Sequence, residues 1–361
     1  DVAGPQALDF ASTNGISDVI LAAGQKVEFN ADGLTTSNKA LLDKISGNVK
    51  LVQANTANLA QTSLKELQKI GVDAVALTGD ASNDPGSSIS IDLGDASGPI
   101  DTIAFPTFAT STGKDANVTL NVADAAQLGQ VGALGTNVLS NLGIDNVQIN
   151  LAETSGSANF NAELNSLLAG TTGAVGGQSF AQEIAAVRAD GLNINTIDLG
   201  GAGTAGSLTL NQAQAGELVL GGLNFATGDN ITLGADLSAA GQGTHLTTSL
   251  KDLQKLGVDA VAVAGDLDGK AATVNNITLD IGSEGAAGIN FNALPTFGDI
   301  DNNNSISLTE DNALNVTLDA HFSDLLALTA GTNETQLASA GIDNISLALS
   351  TEQQLMSLLK D

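Results

Sequence analysis

Apolar residues along this chain fall into two alternating patterns. Residues 72–77 (VDAVAL) are apolar at nearly every position, which is typical of a strand covered on both faces of a parallel sheet. Similar strands, each opening with a glycine, an apolar residue and Asp or Asn, occur at 142–151, 190–199, 221–233, 256–263 and 340–349. Helical patterns lie between them, so the sequence predicts α/β units joined by Gly, Asp and Asn turns.

The helix before residues 72–77 illustrates the predicted unit. Leu64, Leu67 and Ile70 have the spacing of one buried helical stripe. Thr62 or Ser63 can cap its first turn, and the glycine after the stripe ends it. Further helices are predicted at 125–142, 180–190, 212–220, 250–256 and 322–340, the last one broken by Gly331.

The chain is internally duplicated. Residues 63–77 (SLKELQKIGVDAVAL) return almost letter for letter as 249–263 (SLKDLQKLGVDAVAV), an offset of 249 − 63 = 186. The sequence after each copy stays parallel to the end of the chain, which indicates units that bury their apolar faces on one another. The predicted fold class is therefore α/β, an internally duplicated, solenoid-like repeat array of short helices and β-strands.

Four segments follow from the repeats. They are an N-terminal strand/helix unit (1–62), a first repeat copy (63–180), an intervening repeat unit (181–248) and a second repeat copy with an inserted loop (249–361).

Composition narrows the functional classes. Apolar residues make up 42% of the chain, enough for a folded core. Forty acidic residues against twelve basic ones give a net charge of −28, which argues against nucleic acid and anionic membrane surfaces as partners because both repel a polyanion. Three explanations of the acidity stay open: solubility at a crowded surface, calcium binding and adaptation to high salt.

The cellular setting is suggested by what the sequence does not contain. There is no cysteine, which favours a bacterial export route independent of disulfide formation. No run of residues is apolar enough to span a bilayer, and the chain does not begin with an export signal. We therefore expect a segment of a longer protein whose export signal or membrane anchor lies elsewhere.

Residues 207–233 (SLTLNQAQAGELVLGGLNFATGDNITL) carry a family resemblance. Their pattern, LT-x-x-QA-x-x-L-x-x-x-G-[VL]-x-F-x-x-x-D-x-[IV]-T, resembles the Ala/Gly/Asp-rich repeats of giant bacterial surface or adhesin-like proteins exported by type I secretion. The resemblance implies an extracellular, elongated protein, often calcium-dependent, without enzyme activity. The calcium-binding nonapeptide that often accompanies such repeats is not matched, since residues 200–208 (GGAGTAGSL) have Ala205 in place of its Asp.

The two copies differ most between the segments PTF and NVTL. The first copy has residues 109–116 (ATSTGKDA) there, and the second has 298–314 (GDIDNNNSISLTEDNAL). The offset between copies rises from 297 − 108 = 189 to 315 − 117 = 198, so nine residues have been gained or lost (198 − 189 = 9).

This longer loop has oxygen donors at the spacing of an EF-hand calcium loop. The predicted Ca²⁺ ligands, at loop positions 1, 3, 5, 7, 9 and 12, are Asp299, Asp301, Asn303, Ser305, Ser307 and Glu310. Two features depart from the EF-hand: Asn304 replaces the usual glycine at the sixth position, and no helix is predicted before the loop. The alternative is a surface turn rich in Asp and Asn that binds nothing specifically.

Other chemical motifs are not found in the sequence. His245 and His321 are the only histidines, and neither has a second His or Cys at a zinc-motif spacing. There is no phosphate-binding Gly-rich loop followed by Lys and Ser/Thr, and no nucleophile motif of the G-x-S-x-G kind. The sequence therefore predicts neither a zinc site nor an enzyme.

The predicted function is a non-enzymatic structural or adhesion module of a bacterial surface or secreted protein, stabilised by calcium. Its expected partner is a cell-surface component or another copy of the chain. Two alternatives stay open: a surface-layer subunit that assembles laterally, and a polysaccharide-degrading domain on a parallel β-scaffold. The second would need a cleft with clustered carboxylates, basic residues and aromatics.

Overall fold

A computed structural model of the chain describes residues 19–20, 26–46, 48–54, 59, 62–77, 88–94, 105–110, 117–151, 160–169, 179–200, 205–236, 244–264, 275–300, 306–307 and 314–348. These residues form a mixed α/β fold with several parallel sheets, none of which closes into a barrel within the described ranges. The general prediction of an α/β protein with parallel sheets is therefore confirmed.

The chain divides into two compact units. The first contains Asp1–Ile149 and Gly170–Ile194, and the second contains Asn150–Ala169 and Asn195–Asp361. This division is based on spatial proximity, whereas the four segments above are defined by sequence repetition and stay a prediction.

The first unit contains strands that pair almost entirely in parallel. Their bounds are β1 (Val19–Ile20), β2 (Lys26–Asn30), β3 (Ile45–Ser46), β4 (Asn48–Ala54), β5 (Val72–Leu77), β6 (Ser88–Asp92), β7 (Thr107–Thr110), β8 (Asn117–Val122), β9 (Asn146–Asn150) and the start of β10 (Asn193–Asp198). One sheet has the order β2-β4-β5-β7, and another contains β6, β8 and β9 side by side. From β5 the chain passes to β6, returns to β7 in the first sheet and passes again to β8, so it visits the two sheets in alternation.

The second unit also contains two sheets. Its strands are β11 (Ser207–Leu210), β12 (Asn224–Phe225), β13 (Asn230–Asp236), β14 (Thr244–Leu246), β15 (Ala260–Ala264), β16 (Asn275–Asp280), β17 (Thr296–Ile300), β18 (Ile306–Ser307), β19 (Leu314–His321) and β20 (Asn344–Ala348). One sheet has the order β11-β13-β15-β17-β18 and the other β14-β16-β19-β20. From β13 to β17 the chain again alternates between the two sheets. The β17–β18 pair is antiparallel.

Short helices connect the strands. They are α1 (Thr36–Leu42), α2 (Leu64–Lys69), α3 (Ala125–Gly132), α4 (Val138–Asn141), α5 (Phe160–Leu168), α6 (Phe180–Ala189), α7 (Gln212–Gly221), α8 (Leu250–Leu256), α9 (Leu325–Leu328) and α10 (Asn333–Ser339). The single helix predicted at 125–142 is wrong. It is two helices, because Gly135 and Asn137 between them have positive φ angles of 88° and 62°, which a right-handed helix does not accommodate.

The duplicated helices α2 and α8 begin and end as their sequences predict. The Ser63 side chain accepts a hydrogen bond from the Glu66 N–H (3.2 Å), and Ser249 accepts one from the Asp252 N–H (3.1 Å). Gly71 follows α2 with φ +72° and Gly257 follows α8 with φ +79°. Both copies therefore use a serine N-cap and a left-handed glycine.

An aspartate two residues after such a glycine joins neighbouring strands. The sequence Gly-Val/Ile-Asp occurs at 71–73, 143–145, 257–259 and 341–343. In each case the carboxylate accepts the backbone N–H of a residue near the start of the adjacent strand. These four contacts, here called aspartate clasps, are Asp73 with Val49 (2.8 Å), Asp145 with Val118 (2.8 Å), Asp259 with Ile231 (2.8 Å) and Asp343 with Val316 (2.9 Å).

A row of side-chain amides also recurs in both units at the starts of neighbouring strands. We call it the asparagine ladder. In the first unit Asn117 donates to Ser88 (3.1 Å), Asn146 to Asn117 (2.6 Å) and Asn193 to Asn146 (3.3 Å). In the second unit Asn315 donates to Asn276 (2.9 Å), and Asn344 donates to Asn315.

Burial differs between β5 of the first unit and β19 of the second. In β5, Val75, Ala76 and Leu77 are buried in succession, so both faces of that strand are covered. In β19 the buried residues alternate with exposed or half-buried ones, so one face of that strand reaches solvent. The solvent-facing side of the β14-β16-β19-β20 sheet therefore presents polar side chains.

Asp190, which follows α6, is expected to make the stability of the fold depend on pH. Its side chain is buried, its Oδ2 atom has no hydrogen-bond partner in the described structure, and the Asn137 N–H donates to the carboxylate. Burial raises the pKa of Asp190 above its usual value, and the Asn137 hydrogen bond opposes this only in part. The folded state therefore keeps this proton to a higher pH than the unfolded state, and this group's contribution to stability falls as pH rises from the unfolded pKa through the folded one.

We expect Asp190→Asn to raise the free energy of unfolding at pH 7 by roughly 1 kcal/mol, because burying a neutral amide costs less than burying a carboxylate. The gain should shrink toward acidic pH, where Asp190 is itself neutral. Urea unfolding at several pH values measures the difference. Asp43→Asn, at an exposed position, is the control and should change stability by less than about 0.5 kcal/mol. Equal effects of the two substitutions would contradict the prediction.

Candidate metal centre

The structure describes the backbone at the first and ninth positions of the predicted calcium loop. Asp299 lies opposite Ser307, and Ile300 lies opposite Ile306, in the antiparallel β17–β18 pair. The other predicted ligands lie outside the described residues: Asp301, Asn303, Ser305 and Glu310. The calcium site therefore stays a prediction, now with its first and ninth positions on paired strands.

A different set of metal-ligating side chains meets on the solvent-facing side of the β14-β16-β19-β20 sheet. Asp280 ends β16 and lies in register with Asp319 on β19. His245, in β14 on the other side of β16, is in register with Thr278, two residues before Asp280. Residues two apart on a strand point to the same face, so the imidazole and the two carboxylates project from one side of the sheet.

The ligand atoms of this cluster are close together. The Nε2 atom of His245 is 3.7 Å from Oδ1 of Asp280 and 4.0 Å from Oδ2 of Asp319. One ligand atom from each residue lies within 4.8 Å of the others. The side chains of His245 and Asp280 are 54% and 62% exposed, and that of Asp319 is 34% exposed, so an ion can reach the cluster from solvent.

The second imidazole nitrogen has its own partner. Nδ1 of His245 lies 3.0 Å from the carbonyl oxygen of Leu246. A carbonyl can only accept, so Nδ1 carries the proton that it donates. In the neutral ring the lone pair is then on Nε2, the nitrogen that faces the carboxylates.

The first repeat copy has a different pair of side chains at the corresponding positions. Asp92 corresponds to Asp280 (280 − 92 = 188) and Asn121 to Asp319 (319 − 121 = 198). Asp92 and Asn121 are also in register on adjacent strands, and the Asn121 amide donates to the Asp92 carboxylate (2.9 Å). The second copy therefore has two neighbouring carboxylates where the first has a hydrogen-bonded carboxylate and amide.

This cluster was missed by reading the sequence. Its members are separated by 280 − 245 = 35 and 319 − 280 = 39 residues, and no local motif connects them. The one available signal was the change from Asn121 to Asp319 between aligned positions of the two copies. That change is informative only when the strand register is known.

An open groove of about 440 Å³ lies beside α8 in the second unit. Its lining includes Asn195, Asn224, Asp252 and Lys255, and the Lys255 ammonium is 3.9 Å from the Asp252 carboxylate. Glycoside hydrolysis generally uses a pair of carboxylates. Asp252 is the one carboxylate among the groove residues that the structure describes, so the groove gives no basis for proposing that reaction.

Comparison with protein-family models, with curated proteins and with solved structures finds no match to this chain. Within the described ranges, no helix is long and apolar enough to cross a membrane. The function is therefore inferred from the chain's own residues.

Proposed function

We propose that this chain is a non-enzymatic structural module made of repeated α/β units. The observation that carries the proposal is the recurrence of the same unit in both copies: a left-handed glycine, a buried Val or Ile, and an aspartate clasp. The four clasps have the same donor and acceptor groups and distances of 2.8 to 2.9 Å. A repeated contact of this kind holds strands in register, which is what a scaffold requires.

The finer architecture that we propose is solenoid-like. Three features support it: the parallel pairing of nearly all strands, the alternation of the chain between two sheets in each unit, and the asparagine ladder across successive strands. Amides stacked across successive strands satisfy one another's hydrogen bonds. A repeat array of this type is stabilised by contacts between neighbouring units.

The proposed setting is the surface of a bacterium or the medium around it. The net charge of −28 and the absence of cysteine support it, as does the resemblance of residues 207–233 to repeats of type I-secreted surface and adhesin-like proteins. The proposed role is a spacer or adhesive module, and its partner a cell-surface component or a second copy of the chain.

Calcium is the proposed stabilising ion of the inserted loop. The spacing of oxygen donors from Asp299 to Glu310 supports it. A bound ion would hold the segment after β17 against the chain that leads into β19. Because the unfolded loop binds calcium weakly, binding would stabilise the folded state by mass action.

Thermal unfolding in calcium and in EDTA tests this proposal. We expect millimolar Ca²⁺ to raise the melting temperature by several degrees, since a ligand at 100 times its Kd adds about 2.7 kcal/mol. Magnesium should have a much smaller effect, because it prefers a tighter octahedral site.

Glu310→Ala should remove most of the calcium effect, because it deletes the bidentate ligand. The control is Glu217→Ala, an exposed glutamate in α7 outside the loop, which should leave the effect intact. An unchanged calcium response in Glu310→Ala would refute the loop assignment. Calcium-dependent oligomers in light scattering would instead favour the surface-layer alternative.

A further inference from the structure

We propose that His245, Asp280 and Asp319 bind a divalent transition-metal ion, with Zn²⁺ the best fit. One imidazole nitrogen and two carboxylate oxygens are ligands that zinc accepts at about 2.0–2.2 Å. Ligand atoms around such an ion lie roughly 3–3.5 Å apart. The present separations of 3.7 and 4.0 Å from Nε2 to the two carboxylates need to shorten by less than about 1 Å, within reach of side-chain rotation.

The charges at this site favour a cation. Asp280 and Asp319 face each other across adjacent strands, and like charges in directly opposed positions destabilise a sheet. In the first copy the neutral Asn121 avoids this by donating to Asp92. The second copy keeps both carboxylates, and His245 on the neighbouring strand β14, just before that copy, faces them. An imidazole, a common metal ligand, thus lies beside the extra carboxylate.

The imidazole is already oriented for a metal. Its Nδ1–H is held by the Leu246 carbonyl (3.0 Å), and an N–H held in this way is the usual second contact of metal-ligating histidines. Nε2 then faces Asp280 and Asp319. The fourth coordination position of the ion would face solvent and be taken by water.

The nitrogen ligand gives this site a different metal preference from that of the calcium loop. Calcium is held by oxygen ligands, whereas imidazole suits zinc and neighbouring transition metals. The ion would connect three neighbouring strands, β14, β16 and β19, of a single sheet. It would therefore add a structural cross-link on the open face of that sheet, independent of the loop at Asp299.

The histidine content of the chain makes a direct test simple. His245 and His321 are its only histidines, so NMR of the full-length, calcium-free chain should show two sets of imidazole signals during a titration with ZnCl₂. We expect a saturable 1:1 change in the His245 signals and little change in those of His321. His321 lies on the same strand, two residues after Asp319, and is 3.5 Å from Asp324, so it is a demanding internal control.

Four variants, two at the site and two as controls, test which residues bind the ion. Asp319→Asn recreates the carboxylate–amide pair of the first copy, so we expect it to fold and to lower zinc affinity at least tenfold. His245→Gln, a substitution at an exposed position, should lower zinc affinity by a similar factor. His321→Gln and Glu310→Ala should leave zinc affinity within about twofold of the unchanged chain. Calorimetric titration of each variant with ZnCl₂ measures these affinities.

Two outcomes would overturn the proposal. The first is zinc binding with the same affinity in Asp319→Asn and in the unchanged chain, which would mean diffuse association with an acidic surface. The second is an equal response of both histidines, which would mean that zinc does not select His245. Loss of the calcium effect in Glu310→Ala bears only on the structural proposal above, so the two hypotheses fail separately.

Discussion

Gly143→Ala is expected to destabilise the first unit by about 2–5 kcal/mol. Gly143 has φ +84°, and a Cβ atom placed there would lie 2.4 Å from the carbonyl oxygen of Phe108. A left-handed conformation costs a residue with a side chain roughly 1–2 kcal/mol, and forcing an atom into a packed site adds roughly 1–3 kcal/mol. The backbone cannot retreat freely, because the Phe108 N–H donates to the Leu142 carbonyl (2.7 Å).

The second copy should repeat this result at Gly341. Its φ is +87°, and a Cβ there would lie 2.7 Å from the carbonyl oxygen of Phe297. Urea unfolding of Gly143→Ala and Gly341→Ala measures both effects.

The chain supplies matched controls within the same motif. Gly71 and Gly257 have φ values of +72° and +79°, but the nearest atom to an added Cβ is a carbonyl oxygen 3.7 Å away. Alanine at these positions should lose only the conformational part, about 1–2 kcal/mol. If all four substitutions destabilise the protein equally, the close approach to Phe108 and Phe297 is not the cause.

Asp229→Ala is expected to cost about 3–5 kcal/mol in the second unit. The buried Asp229 carboxylate accepts the backbone N–H of Leu199 at Oδ2 (3.1 Å) and that of Gly206 at Oδ1 (2.9 Å). It thereby connects the ends of two segments that lie on either side of residues 200–205. Removing it leaves two buried donors without an acceptor, each worth roughly 1–3 kcal/mol.

A single aspartate clasp provides the comparison for Asp229. Asp145 accepts one backbone N–H, that of Val118 (2.8 Å), so Asp145→Ala should cost about half as much. Denaturant unfolding of both variants gives the ratio. A smaller effect for Asp229→Ala than for Asp145→Ala would show that the two hydrogen bonds of Asp229 do not stabilise the fold.

Burial also sets the pH response of Asp229. It raises the pKa of this carboxyl, the hydrogen bonds from Gly206 and Leu199 oppose the change, and the charges of Asp198 and Asp259 reinforce it. With the folded pKa above the unfolded one, the part of stability linked to this proton decreases as pH rises through that interval. Asp229→Ala should still destabilise the protein at neutral pH, because alanine cannot accept the hydrogen bonds from Leu199 and Gly206.

Local elements of this fold were determined by the sequence itself. The bounds of α2 and α8 follow from a serine cap, an apolar stripe and a glycine, all within ten residues. The predicted break at Gly331 is confirmed, since it lies between α9 and α10 with φ +60°. The duplicated sequence predicted that each such unit would occur twice. These features depend on backbone preferences and side-chain periods, which act over one or two turns.

The candidate metal centre was decided by tertiary structure. His245, Asp280 and Asp319 belong to three strands, and only the parallel register of β14, β16 and β19 brings them to one face. A shift of one residue in either pairing would turn a side chain to the opposite side of the sheet. The sequence carries the ligands and the difference between copies, but strand pairing is a long-range choice that balances burial across the whole sheet. Local sequence patterns therefore predicted the repeating helix and strand units. Only the pairing of strands in the sheet brought the imidazole close to the two carboxylates.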